Sequence, residues 1–213
     1  MDIIKIVSKN MSQNNYLIVS NQDAILIDAS ASVKDVKENL SMYSGVRLQA
    51  IYLTHCHFDH IQELDNLLAH YKCNAYIHKN GKPSLYKVDE NLSFIDEPIK
   101  IKNRQNIKTF IDGDTMDYGD IHIGCFLTDG HSRDSSCFIV EDNMFTGDTV
   151  FKVGVGRTDM FGGSDSVERI SLGRIKDTLS NGINNFYPGH GVNFTYEDMV
   201  YNIEKVLGDK QWI

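Results

Sequence analysis

The sequence predicts an α/β (α+β) domain in which two sheets pack face to face with helices outside. Three observations carry this. Apolar runs of strand length fall into two blocks, each block is followed by segments of helical spacing, and no repeat or Pro/Ser-rich linker divides the 213 residues. With 41% hydrophobic residues, the chain can bury a sizeable core as one domain over 1–213.

The elements follow in order. Ile3 to Val7, Tyr16 to Val19 and Ala24 to Asp28 are short apolar runs punctuated by Asn and Asp, the signature of strands. Ser32 is placed to cap a helix reaching about Tyr43. Leu48 to Leu53 reads as the next strand. Ile61, Leu64, Leu67, Leu68 and Tyr71 then recur at helical spacing, so His60 to Tyr71 is expected to form one amphipathic helix. Ala75 to Ile77 is a short strand, and residues 80–104 are mixed and polar. Strands resume at 107–111, 120–127, 136–140 and 143–146, and helical patterns cover about 165–180 and 196–207.

Lys and Arg number 21 against 29 Asp and Glu, a formal net charge of -8. No Lys/Arg block marks a nucleic-acid-binding face. The first residues carry no basic start followed by an apolar run of the kind a signal peptide needs. No stretch approaches the roughly 18 apolar residues of a membrane span. A cytoplasmic protein acting on a small molecule is expected, with neither nucleic acid nor membrane as partner. Cys56, Cys73, Cys125 and Cys137 form no C-x-x-C pair and read as free thiols, mostly in the core.

The chemistry concentrates in Thr54-His55-Cys56-His57-Phe58-Asp59-His60. A strand runs into it and a helix runs out, so it lies in a turn where side chains can converge. Three histidines and a carboxylate are poor core material, costing several kcal/mol (roughly 2–7 per unpaired polar group) if buried without partners. They are, however, ligands that zinc, iron and manganese accept. Three further segments place a similar ligand where a strand meets a glycine turn: Thr128-Asp129-Gly130-His131, Thr146-Gly147-Asp148-Thr149 and Pro188-Gly189-His190-Gly191. Each alone is an ordinary turn; together they supply five histidines and two aspartates, enough for two ions. His70, His78 and His122 lack this setting and read as ordinary surface or partly buried residues.

The H-x-H-x-D-H run, followed by Gly-His, Gly-Asp-Thr and Pro-Gly-His in that order, resembles the metallo-β-lactamase superfamily, and within it the glyoxalase II-like branch. The likeness covers roughly residues 14 to 191. It implies a four-layer αβ/βα sandwich with the site at one edge between the sheets. Carried over by position, His55, His57 and His131 would hold one metal, Asp59, His60 and His190 a second, and Asp148 would bridge them. The cofactors implied are two divalent ions, zinc first, with iron or manganese as alternatives.

Three stretches refine the resemblance. Around the third site the branch often reads Thr-Pro-Gly-His-Thr-Pro-Gly-Ser, whereas this chain has Thr128-Asp129-Gly130-His131-Ser132-Arg133-Asp134-Ser135, without prolines and with two charges near the ligand. About 22 residues follow Gly191, too few for the helical glutathione-binding domain of full-length glyoxalase II enzymes, which points away from glutathione as the carrier thiol. Gly156-Arg157-Thr158-Asp159 resembles a stretch of the single-domain glyoxalase II-like proteins and of persulfide dioxygenases. Asp159 is expected to orient a ligating imidazole, and Arg157 to pair with Asp159 or another carboxylate.

The resulting expectation is a hydrolase that cleaves a small thioester, a hydroxyacyl-thiol as the glyoxalase II-like resemblance implies, through attack of a hydroxide shared by two ions about 3.5–4 Å apart, with Asp59 both a ligand and the group that orients it. The alternative is a persulfide dioxygenase with one iron on His55, His131 and Asp148, the non-haem facial triad. The bridging position holds Asp148 rather than the cysteine or serine of several lactamases, so a lactamase, lactonase or phosphodiesterase is a more distant reading. A scaffold that kept only the fold is disfavoured because all seven ligand positions carry ligating side chains. Substrate specificity is expected from the loops at 80–104 and 150–165.

Overall fold

The computed structural model describes residues 1–9, 11–178 and 182–208. One sheet contains β1 (Asp2–Val7), β2 (Asn14–Ser20), β3 (Asp23–Ile27), β4 (Arg47–Tyr52), β5 (Asn74–His78) and β6 (Ile107–Phe110), adjacent in chain order. β1, β2 and β3 pair antiparallel; β3 to β6 run parallel. The parallel pairings require crossovers: α1 (Val33–Leu40) links β3 to β4, and α2 (Phe58–Ile61) with α3 (Leu64–Tyr71) links β4 to β5.

The other sheet contains β7 (Thr115–Tyr118), β8 (Ile121–Leu127), β9 (Ser136–Val140), β10 (Asn143–Gly147), β11 (Asn185–Pro188) and β12 (Phe194–Thr195), again adjacent in chain order. Its single parallel pair is β10 with β11, joined through α4 (Asp165–Thr178); α5 (Tyr196–Gly208) follows β12.

Side-chain alternation produces the layers. Along β2 and β3, Tyr16, Ile18, Ile25 and Ile27 face the other sheet, where they join Ile121, Ile123, Phe138, Val140 and Phe145. Their neighbours Leu17, Val19 and Leu26 face outward onto Leu64, Leu67 and Leu68 of α3. The second sheet does the same, with Met144 and Phe186 turned onto Leu172 and Ile175 of α4 and Met199 and Ile203 of α5. Strands buried on both faces read as unbroken apolar runs, which is how the middles of β2 and β3 look in sequence. The result is the expected helix–sheet–sheet–helix sandwich. Tyr52 sits at the middle of the inner layer, stacked on Tyr76 at 5.1 Å and meeting Phe138 edge-on at 5.3 Å.

Ser32 caps α1 as expected, its hydroxyl accepting the Asp35 N–H at 3.1 Å. The single helix expected over His60–Tyr71 is instead two. Ala29, just past β3, donates its N–H to the His60 carbonyl at 2.8 Å and accepts the Glu63 N–H at 2.8 Å. Those bonds displace the intrahelical ones and break the helix at Gln62–Glu63. The apolar spacing that predicted it persists because both pieces bury the same face. The patterns missed β7 and β12, and the strand expected at 120–127 is the second arm of a hairpin with β7. Residues 80–104 hold only single 3₁₀ turns at Ser84–Tyr86 and Ser93–Ile95 before a third at Arg104–Asn106. The expected helix at 165–180 is seen to Thr178; residues 179 and 180 lie outside those described. All four cysteines are free and buried. No helix among the described residues is long and apolar enough to cross a membrane.

Phe138 is fully buried between the sheets, against Tyr52 and, at 5.5 Å, Phe110. Phe138→Ala is expected to lower unfolding stability by about 3–5 kcal/mol, read as a fall in the denaturant midpoint at unchanged slope.

Candidate metal centre

The four segments singled out in the sequence meet at one edge of the sandwich. His55, His57, Asp59 and His60 come from the turn after β4 and from α2; His131 from the connection between β8 and β9; Asp148 from the residue after β10; His190 from the second residue after β11. Backbone bonds between the sheets fix this edge. Ser136 donates its N–H to the Thr54 carbonyl at 2.9 Å, and Asn14 donates its N–H to the Gly189 carbonyl at 2.7 Å. Gly189 is needed here for its lack of a side chain, because a Cβ would stand 2.3 Å from Asp148 Oδ1 and 2.7 Å from His60 Cε1.

Two trios of donor atoms each fall within 4.8 Å of one another: His55, His57 and His131, and Asp59, His60 and His190. Asp148 lies between them, with Oδ1 3.3 Å from His60 Nε2 and Oδ2 3.8 Å from His131 Nε2 and 3.6 Å from His190 Nε2. His55, His60 and Asp148 form a third such group. His57 Nδ1 and His131 Nε2 are 3.0 Å apart. His131 gives its Nδ1 proton to the Arg157 carbonyl at 2.7 Å, so its Nε2 carries a lone pair aimed at His57. The Nε2 atoms of His55 and His57 and the Oδ1 of Asp148 are buried without a hydrogen-bond partner. Orphaned buried acceptors are costly, and this donor set suits divalent cations.

Electrostatics sort the imidazoles. Burial, reinforced by the adjacent imidazoles, holds His55 well below the ordinary histidine range, and the same causes hold His57 at about 3. Burial also lowers His131. These three are neutral at pH 7 and have lone pairs to offer. Burial opposes charge on His60 too, but Asp28, Asp148 and Asp59 together raise it well above the ordinary value. Burial likewise works against Asp59, yet His60 and His190 leave its carboxyl below the usual range.

Asp28 is the residue the sequence reading missed. It follows β3 with a left-handed φ of 63°, a conformation Asp tolerates. Its carboxylate accepts the His60 Nδ1–H at 2.8 Å, the Thr54 N–H at 2.8 Å, the Thr54 hydroxyl at 3.0 Å and the Gln13 Nε2–H at 3.1 Å. Asp28 thereby keeps a proton on Nδ1 and aims Nε2 at Asp148; with its value raised, His60 also carries an Nε2 proton that a bound ion would displace. Thr54 Oγ1 lies 3.1 Å from His55 Nδ1 and carries the same control to His55. The available signal was a charged residue closing an apolar strand run beside the motif strand.

Arg157 pairs with Asp159 as expected, but Asp159 does not reach an imidazole. Their side chains are exposed and pair with each other, Arg157 Nε and Nη2 each donating to Asp159 at 2.7 Å. Asp159 therefore has its carboxylate engaged away from the imidazoles, and the bond that orients His131 comes from the Arg157 backbone carbonyl. Cys56 turns into the helix-side core and donates its thiol to Asp134 at 3.7 Å. Asp134, expected to add charge near His131, is buried, and burial pushes its carboxyl up to about 6. Arg133 packs its guanidinium on Phe161, 4.9 Å from the ring centroid. His70 is exposed and His122 is exposed and paired with Asp117, while His78 is more buried than expected and packs on Phe110.

Glu168 of α4 was also missed. It is 1% exposed, and no side chain pairs with its carboxylate. It backs directly onto Gly130, whose φ is 142° and where a Cβ would stand 2.4 Å from Glu168 Cα. Burial raises its carboxyl to about 9 from an ordinary 4.5. The acid is thus protonated in the folded protein and ionised in the unfolded chain at neutral pH. Folding takes up a proton between those two values, so stability falls as pH rises through that window. Glu168→Gln is expected to match the parent near pH 4.5 and to exceed it increasingly toward pH 9, by on the order of 3–5 kcal/mol, in chemical denaturation at a series of pH values. Asp28→Asn is expected to weaken metal retention about 10–100-fold in chelator competition while the fold persists, because His60 loses its carboxylate partner.

The sequence profile of the metallo-beta-lactamase superfamily matches residues 9–190. A probable metallo-hydrolase, YqgX of Bacillus subtilis (strain 168), is 30% identical over 162 residues, spanning 75% of this chain and 76% of that protein. The probable polyketide biosynthesis zinc-dependent hydrolase PksB of the same organism is 29% identical over 172 residues, 81% of this chain and 69% of its own length. The crystal structure of the BLEG-1 B3 metallo-beta-lactamase superposes with a TM-score of 0.84 at 22% identity, covering 96% of this chain and 99% of that one. With the two-sheet sandwich and the clustered histidines and aspartates already in place, the profile match over most of the length means that this chain belongs to the metallo-beta-lactamase superfamily.

Proposed function

We propose that the chain is a dinuclear metallo-hydrolase of the glyoxalase II-like, single-domain kind, acting on a small thioester. The observation that carries this reading is the pair of donor trios sharing Asp148, with imidazole and carboxylate acceptors buried and unpartnered between them. His55, His57 and His131 would hold one ion, Asp59, His60 and His190 the other, and Asp148 would contact both. Zinc is the first candidate, as in the name of the PksB relative, and iron and manganese accept the same donors. Ions bound to such donors supply Lewis acidity and a water acidified to about pKa 7.

The protein's own groups would do the remainder. Asp59 lines the cavity with its carboxyl held below the usual range, so it is ionised and can orient the attacking water through a hydrogen bond. Asp28, Thr54 and the Arg157 carbonyl hold the ligating rings in one tautomer. The leaving group must depart without help from a protein acid. Apart from the proposed ligands and Gly156, the cavity is lined by apolar side chains and Arg157, and a guanidinium does not give up its proton. A thiolate leaves readily under those terms, whereas an amine or alkoxide does not, and this favours the thioester.

Elemental analysis of protein purified without chelators is expected to find about two ions per chain. A panel of acyl thioesters should be cleaved with release of free thiol. The His57→Ala/Asp59→Ala double variant should lose both metal and activity. One iron per chain, with oxygen uptake on a persulfide and no thioester turnover, would falsify this reading in favour of the dioxygenase.

A further inference from the structure

We infer that the cavity over the ligand set is an acyl chamber for an uncharged apolar chain, so that the thioester is a medium-chain acyl thioester rather than a hydroxyacyl or anionic one. This rests on the thioester reading and adds its substrate class.

The cavity holds about 370 Å³, toward the lower end of small-ligand sites. Its floor is His57, Asp59, His131 and Asp148, and its walls are Met11, Phe58, Leu92, Ile95, Phe151 and Met160. The one cation in the lining, Arg157, already has both Nε and Nη2 engaged by Asp159. Among the described lining residues no other charged group stands outside the ligand set. Apart from the ions its floor would hold, a carboxylate on the substrate would meet only an arginine already paired with Asp159, and a hydroxyl would face methyl and ring carbons.

The apolar wall is built deliberately into the backbone. Leu92 sits at φ 61°, a left-handed conformation that a branched side chain rarely adopts. Strain of this kind persists only where the surroundings over-determine it, and it clusters at ligand clamps. Here Asn91 over-determines it. Fully buried, Asn91 donates its side-chain amide to the Leu85 carbonyl at 3.2 Å and accepts the Ser93 N–H at 3.0 Å, while its carbonyl takes the Phe58 N–H at 2.8 Å. The last bond ties the wall to α2, the helix that carries Asp59 and His60. At the mouth, Ile95 and Met11 are 61% and 42% exposed, apolar area that a chain lying across it would cover.

The reaction is simple to balance. Water adds to the acyl carbon, the C–S bond breaks, and the products are a fatty carboxylate, the free thiol and one proton. The test uses the metal-loaded full chain with acetyl, butanoyl, hexanoyl and octanoyl thioesters of N-acetylcysteamine, beside lactoylglutathione. Binding of ketone analogues, in which a methylene replaces the thioester sulfur, is measured in parallel by calorimetry. Both kcat/KM and analogue affinity are expected to rise about two- to fourfold per added methylene through hexanoyl. Ile95→Ser and Leu92→Ser should flatten that gradient, lowering the hexanoyl-to-acetyl ratio; Ile95, being exposed, can be replaced without cost to the core. A flat series, or lactoylglutathione preferred over hexanoyl, overturns the proposal. A clear affinity gradient with no thioester cleaved would support the chamber and overturn the thioester reading on which the substrate was named.

Discussion

The site depends on a seam between the two sheets. Its ligands come from both halves of the chain: four from the turn after β4, three from ends of the second sheet. Apolar packing between the sheets holds the layers together but is indifferent to small slides along the strands. Directional bonds at one edge remove that freedom. Ser136 donates to the Thr54 carbonyl, Asn14 to the Gly189 carbonyl, and the Tyr16 hydroxyl to the Pro188 carbonyl at 2.7 Å. The ligand-bearing turns are thus anchored to each other through backbone atoms immediately beside the donors, and the positions of the imidazoles follow from that.

A second layer of control is electrostatic. Five imidazoles packed together would repel if charged, and burial keeps His55, His57 and His131 neutral. Asp28 is placed behind His60, opposite the cavity, so that its charge fixes a ring proton without occupying the donor face. The backbone carbonyl of Arg157 does the same for His131. His55, His60 and His131 each have one nitrogen secured from behind and the other turned inward, and this arrangement makes a cluster of buried polar groups compatible with a folded chain. Glu168 is different. It lies beneath the His131 turn with no side-chain partner, kept neutral by its burial.

Much of the fold was legible because its strands are buried on both faces and announce themselves as apolar runs. Misreadings arose where local pattern and tertiary hydrogen bonding diverge. The spacing of Ile61, Leu64, Leu67 and Leu68 is helical, yet Ala29 intrudes into the backbone ladder and divides the helix. β7 and β12 are short and largely exposed or polar, so nothing in their composition separated them from loop.

At the site, the sequence alone determined the ligand types. Clusters of histidine and aspartate beside glycine have few uses in a core other than holding ions, and their chemistry is a property of the side chains. The tertiary structure decided everything that depends on who is adjacent to whom. Asp28, far from the motif in sequence, stands behind His60; Arg157 contributes a carbonyl where a carboxylate at Asp159 was expected; and the apolar wall of Leu92 and Ile95 comes from a stretch that carries no pattern. Residue identity sets what a group can bind, but proximity across the chain sets which proton it holds and which face stays open, and proximity is written in the packing of the sheets rather than in any local run of residues.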